Sequence, residues 1–112
     1  MKTSSKQDRS TPRHAVEVRI RITLDHPGKN GYWSGQANDL SEFGMSLFVP
    51  TDFEIGTIVR IEFRLPCSSQ KLIIRGTIRN RDSFRYGVEF LYPTAAEREA
   101  IVRTCKMSAA LD

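Results

Sequence analysis

Apolar and polar residues alternate strictly in two segments of this chain, and that alternation leaves few possible folds. Every second residue of AVEVRIRITL, residues 15–24, is apolar, and charged side chains or threonine stand between them. TIVRIEFRL, residues 57–65, repeats the pattern. Because residues two apart share one face of a β-strand, such segments are predicted to be strands with one face in the core and the other in water.

Four further segments complete a predicted set of six antiparallel strands. They are YWSGQANDL at 32–40, MSLFV at 45–49, KLIIRGTIRNR at 71–81 and RYGVEFLY at 85–92. Turn-forming residues separate the strands, as in DHPGKNG at 25–31. Short strands at near-regular spacing favour a small closed barrel, because closure removes the open edges of a sheet. We predict a mainly β fold with a barrel over about residues 15–92.

The periodicity changes to that of a helix near the C-terminus. Thr94 and Glu97 have the spacing of a capping box, which predicts a helix over about residues 94–108. One stripe of this helix is predicted to be apolar: Ala96, Ala100, Ile101 and Cys105.

Length and composition narrow the class of protein. A chain of 112 residues fits one domain. No apolar run is long enough to span a membrane, and the polar N-terminus lacks a signal peptide, so we expect a cytoplasmic protein without a membrane segment. The two cysteines and two histidines are far apart, which argues against a metal site or cofactor. No nucleophile and base, phosphate loop or carboxylate cluster is recognisable, so a binding protein is favoured over an enzyme.

Positive charge is concentrated at the N-terminus. Residues 1–14 carry a net charge of +3 out of +4 for the whole chain, which indicates an anionic partner or, alternatively, a merely solvated terminus. Residues 1–8 are predicted to be a flexible tail. Arg9 and Arg13 follow in DRSTPR, where Pro12 favours an extended path. Two guanidinium groups on such a segment can bind phosphate or a guanine edge in bidentate fashion.

A second motif, Asp39-x-Ser41-x-x-Gly44, lies between the second and third predicted strands. One interpretation is a turn in which Asp39 and Ser41 bond nearby backbone and Gly44 supplies a positive φ. The other is a binding site. An ionised Asp39 accepts two donors from a guanine edge, Ser41 adds a hydroxyl, and Gly44 permits close approach.

The two motifs together, in a six-stranded chain ending in a helix, resemble the PilZ domain family. YGVEF at 86–90 is also similar to the last barrel strand of that family. The resemblance implies a PilZ domain over residues 9–112 that binds cyclic di-GMP through Arg9, Arg13, Asp39, Ser41 and Gly44, and that acts on a downstream protein partner.

Two more residues are candidates for the same ligand site. Arg85 can reach its edge, and Asp8 precedes the arginine motif at a position that affects ligand stoichiometry in the family. Two alternative functions remain: a small barrel that binds single-stranded nucleic acid, which the nearly neutral body disfavours, or a PilZ-like scaffold that binds no nucleotide. The sequence assigns no oligomeric state.

Overall fold

Six strands followed by one helix form the described part of the chain. The computed structural model describes residues 14–25, 31–65, 70–91 and 94–111, apart from the side chains of residue 14 and residues 106–111. The elements are β1 (His14–Leu24), β2 (Trp33–Leu40), β3 (Gly44–Phe48), β4 (Ile58–Arg64), β5 (Lys71–Asp82), β6 (Arg85–Phe90) and α1 (Ala95–Leu111). Residues 1–8, predicted to be a flexible tail, lie outside the described residues.

All strand pairs are antiparallel, and the barrel closes in the order β1-β2-β3-β6-β5-β4. The prediction of a six-stranded antiparallel barrel with a C-terminal helix is therefore confirmed. No helix in the described part of the chain has the length and apolar character needed to cross a membrane.

The alternating residues place one face of each strand in the barrel interior. In β4, Val59 and Ile61 are fully buried, whereas Arg60 between them is exposed. Burying such a side chain contributes about 1.5–3 kcal/mol relative to leaving it in water. The inward positions of all six strands meet in one continuous core. This core fixes the register of each strand, because a slip of one residue would turn the apolar side chains outward.

The helix begins where the capping box predicts. The backbone N–H of Glu97 donates to Thr94 Oγ1 at 3.2 Å, and that of Thr94 donates to Glu97 Oε1 at 3.0 Å. Its buried face consists of Ala100, Ile101, Thr104 and Cys105. Ala96, on the same predicted apolar stripe, is exposed, because the helix packs on the barrel only after its first turn.

Cys105 is predicted to be chemically inert in the folded protein. Burial, reinforced by the nearby charge of Glu42, raises the pKa of the Cys105 thiol to about 11. At about pH 8 roughly one molecule in a thousand then carries the reactive thiolate. In a Cys67→Ser variant, mass spectrometry should show alkylation by iodoacetamide at least about a hundredfold slower in the folded than in the denatured protein, and faster as the pH rises towards 11. Equal rates in both states would contradict this burial.

Tyr86 joins the connection before β4 to the barrel. Its side chain is 2% exposed, and its hydroxyl donates to the carbonyl of Thr51 at 2.5 Å and accepts the backbone N–H of Phe53 at 2.9 Å. The ring of Phe53 packs edge-on against Tyr86 and against Trp33. The only tryptophan of the chain thus contributes to packing.

Removing the Tyr86 hydroxyl should destabilise the barrel. In Tyr86→Phe the buried N–H of Phe53 loses its acceptor, which costs about 1–3 kcal/mol of unfolding free energy. Urea denaturation measures this loss. The control is Tyr32→Phe, which removes a hydroxyl from a side chain that is 55% exposed and should change stability by less than about 0.5 kcal/mol. Equal losses in the two variants would refute the role of the buried hydroxyl.

Candidate ligand site

The loop between β2 and β3 is folded around the side chain of Ser41, which is 3% exposed. Its Oγ accepts the backbone N–H groups of Phe43 and Gly44, each at 3.2 Å, and donates to the carbonyl of Gly44 at 3.4 Å. The backbone N–H of Ser41 donates to the same carbonyl at 2.9 Å. The hydroxyl therefore fixes the shape of the loop, as the turn interpretation predicts.

Gly44 is required for a different reason from the one that the turn interpretation gives. Positive φ angles occur at Gly31 and Gly56 among the described glycines, so the prediction of a positive φ at Gly44 is wrong. A Cβ at Gly44 would lie 2.0 Å from the carbonyl oxygen of Val88 and 3.3 Å from the Cα of Glu89. The glycine permits β3 to approach β6 at the start of their pairing.

Asp39 lies at the end of β2, with its carboxylate half-buried beside the loop. Its Oδ1 accepts the backbone N–H of Ser46 at 3.2 Å. Ser46 is also the cross-strand partner of Asp39 on β3. This contact orients the carboxylate of Asp39, which as an ionised group is an acceptor only.

A row of small and polar residues crosses the outside of the barrel from Asp39. Successive cross-strand partners form this row, hereafter the polar row: Ala15, Asp39, Ser46, Gly87 and Asn80. The strand pairing is irregular at three places beside the row: between Ala15 and Val18, between Ala37 and Asp39, and between Ile78 and Asn80. β-Bulges redirect side chains and are over-represented next to functional sites. The polar row is therefore the part of the described barrel surface that departs most from regular pairing.

Gly87 and Asn80 form the far end of the polar row, on β6 and β5. A Cβ on Gly87 would lie 2.5 Å from Oδ1 and 2.7 Å from Nδ2 of Asn80, so the Asn80 amide lies over Gly87. An amide offers both donors and an acceptor. Sequence analysis did not single out these two residues, because no motif marks them and their position depends on the pairing of β5 with β6. The glycine in YGVEF was the one available signal.

The structure places some, but not all, of the site residues predicted from the sequence in this region. Asp39, Ser41 and Gly44 come together at the loop, and Arg85 is exposed two residues before Gly87 on the same side of β6. Asp8, Arg9 and Arg13 lie outside the described residues.

The start of β1 lies directly beside the loop. His14 pairs with Leu40, and Ala15 pairs with Asp39. Arg13 immediately precedes His14 in the sequence. The arginine motif is therefore attached to the barrel next to the Asp39 carboxylate.

The loop is also held by β6 and α1. The backbone N–H of Phe90 donates to the carbonyl of Phe43 at 2.7 Å. Arg98 Nε donates to Glu42 Oε2 at 2.8 Å, and Arg98 Nη2 contacts the same oxygen. The Arg98 guanidinium lies 5.5 Å from the centre of the Phe43 ring. A surface fixed from both sides binds a ligand with little loss of its own conformational freedom.

Comparison with known proteins extends over nearly the whole chain. The sequence model of the PilZ domain matches residues 7–106. A search of curated proteins found no match. Among solved structures, the chain is similar to the PilZ domain of CeSA from a cellulose-synthesising bacterium, with a TM-score of 0.65 and 17% identity over 82% of this chain and 92% of that one.

Two further solved structures have the same fold. The Bacillus subtilis inhibitor of motility MotI/DgrA is similar with a TM-score of 0.76 and 17% identity, over 95% of this chain and 53% of that chain. The PilZ domain of Escherichia coli YcgR, solved with cyclic di-GMP, is similar with a TM-score of 0.68 and 15% identity, over 87% of this chain and 88% of that chain.

Proposed function

The chain belongs to the PilZ domain family, and we propose on that basis that it is a cytoplasmic, non-enzymatic receptor for cyclic di-GMP. The observation that carries the proposal is the pairing of Ala15 with Asp39, because it attaches the segment containing Arg9 and Arg13 beside the carboxylate of the second motif. The structure of YcgR with cyclic di-GMP supports the choice of ligand.

The ligand combines groups that these residues are suited to bind. Cyclic di-GMP carries two guanines and two phosphates. The Asp39 carboxylate accepts the donors of a guanine edge, and the guanidinium groups of Arg9 and Arg13 bind phosphate and the acceptor edge of guanine. Ser41 and Gly44 keep the loop in place, and the Asn80 amide that lies over Gly87 offers the ligand both donors and an acceptor.

Closure of the arginine segment gives the receptor its response. Ordering a backbone residue costs about 1–2 kcal/mol, and each charge-assisted hydrogen bond to the ligand contributes about 1.5–3 kcal/mol. Several such bonds offset the ordering of the few residues between Arg9 and Arg13. The segment thus closes only when ligand is bound, and the changed surface is recognised by a downstream protein partner. Arg85 and Asp8 lie at the edges of this site in the proposal and modulate affinity and stoichiometry.

Isothermal titration calorimetry of the purified protein with cyclic di-GMP tests the proposal. GTP serves as the control ligand, and two salt concentrations separate specific binding from general attraction of anions. We expect saturable binding of cyclic di-GMP with no comparable binding of GTP. If the folded protein gives no saturable binding of cyclic di-GMP, the proposal is refuted. A PilZ-like scaffold that binds no nucleotide would then be the function that replaces it.

A further inference from the structure

A second surface of the barrel carries concentrated positive charge. A groove of about 650 Å³ runs across the outer sides of β1, β4 and the adjoining ends of β2 and β5. We call it the basic groove after the four cations that line it: Arg19, Arg21, Arg64 and Lys71. Arg19 and Arg21 lie four and six residues along β1 from Ala15, so these two cations are about 13–20 Å from the β1 end of the polar row.

Like charges face each other in the basic groove. Arg64 and Lys71 are direct cross-strand partners on β4 and β5. Like charges in that position destabilise a sheet, so a fold selected for stability alone would avoid them. Glu62, 3.5 Å from Lys71, is the one carboxylate among the described residues that line the groove. The groove therefore has a net positive charge.

A similar pair elsewhere on the barrel is neutralised. Arg60 and Arg75 are also direct cross-strand partners, and the carboxylate of Asp25 bridges them at 3.0 and 2.7 Å. Each of these like-charge pairs thus has a carboxylate beside it, Glu62 at Lys71 and Asp25 at Arg60 and Arg75. The basic groove, with four cations and one carboxylate, retains attraction for an anionic partner.

Aromatic residues beside the groove suit a protein interface. The Arg21 guanidinium lies over the ring of Tyr32, 4.3 Å from its centre. It covers one face of the ring, and this contact positions Arg21. Tyr32 and Phe48 are exposed. Exposed Arg, Tyr and Phe together are typical of protein interfaces. Outside residues 1–14 the chain has a net charge of only +1, which offers little general attraction for a polyanion such as nucleic acid.

We propose that the basic groove binds an acidic segment of a protein partner in an extended conformation. Arg19 and Arg21 are two residues apart on one strand face, about 6.6 Å along the strand, which matches the repeat of alternate side chains in an extended segment. Carboxylates at alternate positions of the partner then meet the two guanidinium groups in turn. This site goes beyond cyclic di-GMP binding and does not depend on it.

Fluorescence anisotropy with defined probes tests the site on the full chain. The probe is a short labelled peptide with glutamate at alternate positions, and its counterpart carries glutamine instead. The groove variant is Arg19→Glu with Arg21→Glu. The matched control, Arg60→Glu with Arg103→Glu, makes the same charge change at exposed positions outside the groove and away from the polar row. Both variants keep the basic N-terminus, so its contribution cancels in the comparison.

We expect the groove variant to bind the glutamate peptide at least about tenfold more weakly than the native protein, and the control variant to change binding less than about twofold. Both variants should bind cyclic di-GMP like the native protein, which separates failure at this site from failure of the receptor function. Equal losses in the two variants would overturn the proposal. Oligothymidine binding more tightly than the peptide, with the loss confined to the groove variant, would also overturn it and assign the groove to nucleic acid.

Discussion

Replacing Asp39 by alanine is expected to abolish measurable cyclic di-GMP binding while the barrel stays folded. The carboxylate is the proposed acceptor for a guanine edge, and each charge-assisted hydrogen bond contributes about 1.5–3 kcal/mol. Losing two of them weakens binding by about a hundredfold or more. The structural cost is smaller, about 1 kcal/mol, because the half-buried N–H of Ser46 loses one acceptor. Calorimetry measures the first effect and urea denaturation the second.

The control for Asp39→Ala is Glu62→Ala, which removes one carboxylate from the outside of the barrel away from the polar row. It should leave cyclic di-GMP affinity within about twofold of the native value, because long-range effects of a surface charge are screened by salt. Full binding by a folded Asp39→Ala variant would exclude the carboxylate from the site. An equal loss of affinity in both variants would show that the Asp39 carboxylate acts only through its charge and not through direct contact with the ligand.

Replacing Gly44 by alanine is expected to destabilise the barrel by about 3 kcal/mol, at the upper end of the range for overpacking. The new Cβ would lie 2.0 Å from the carbonyl oxygen of Val88, which is main chain and cannot rotate away. β3 and β6 must then separate where their pairing begins, and the loop held by Phe43 must move with them. Cyclic di-GMP affinity should fall as well, because the loop positions Asp39.

Gly87→Ala is the matched comparison, since both glycines lie on the outer side of paired strands. The new methyl group of Gly87→Ala meets only the side-chain amide of Asn80, which can rotate. We expect a stability change within about 1 kcal/mol but weaker cyclic di-GMP binding, because the methyl group displaces the Asn80 amide from its place in the polar row. Urea midpoints of Gly44→Ala and Gly87→Ala that coincide would contradict the close approach of β3 and β6 at Gly44.

The strands and the start of the helix could be predicted, because they are determined by residues that are close together in the sequence. Alternation alone places Val59 and Ile61 inside and Arg60 outside, since a strand has only two faces. The bonds between Thr94 and Glu97 likewise depend on residues three apart. Patterns of this short range can be recognised in the sequence without knowledge of the tertiary structure.

The arrangement of the site could be predicted only in part, because it depends on contacts between residues that are far apart in the sequence. A glycine three residues after Ser41 is equally consistent with a positive φ and with close packing, and only the neighbouring carbonyl of Val88 decides between them. Asn80 and Gly87 reach the polar row through the pairing of β6 with β3 and with β5, and through a bulge in β5. Sequence periodicity indicates which residues face outward, but not which of them become neighbours.

Backbone amide shifts during a cyclic di-GMP titration of the ¹⁵N-labelled protein test the central claim most directly. We predict saturable shifts at Phe43, Ser46, Asn80 and Gly87 together with residues 9–11 and 13, while Glu62 in the basic groove stays unchanged. That result would place the ligand between the arginine segment and the polar row. Saturable shifts confined to the basic groove, or no shifts at the polar row, would contradict the proposed receptor site.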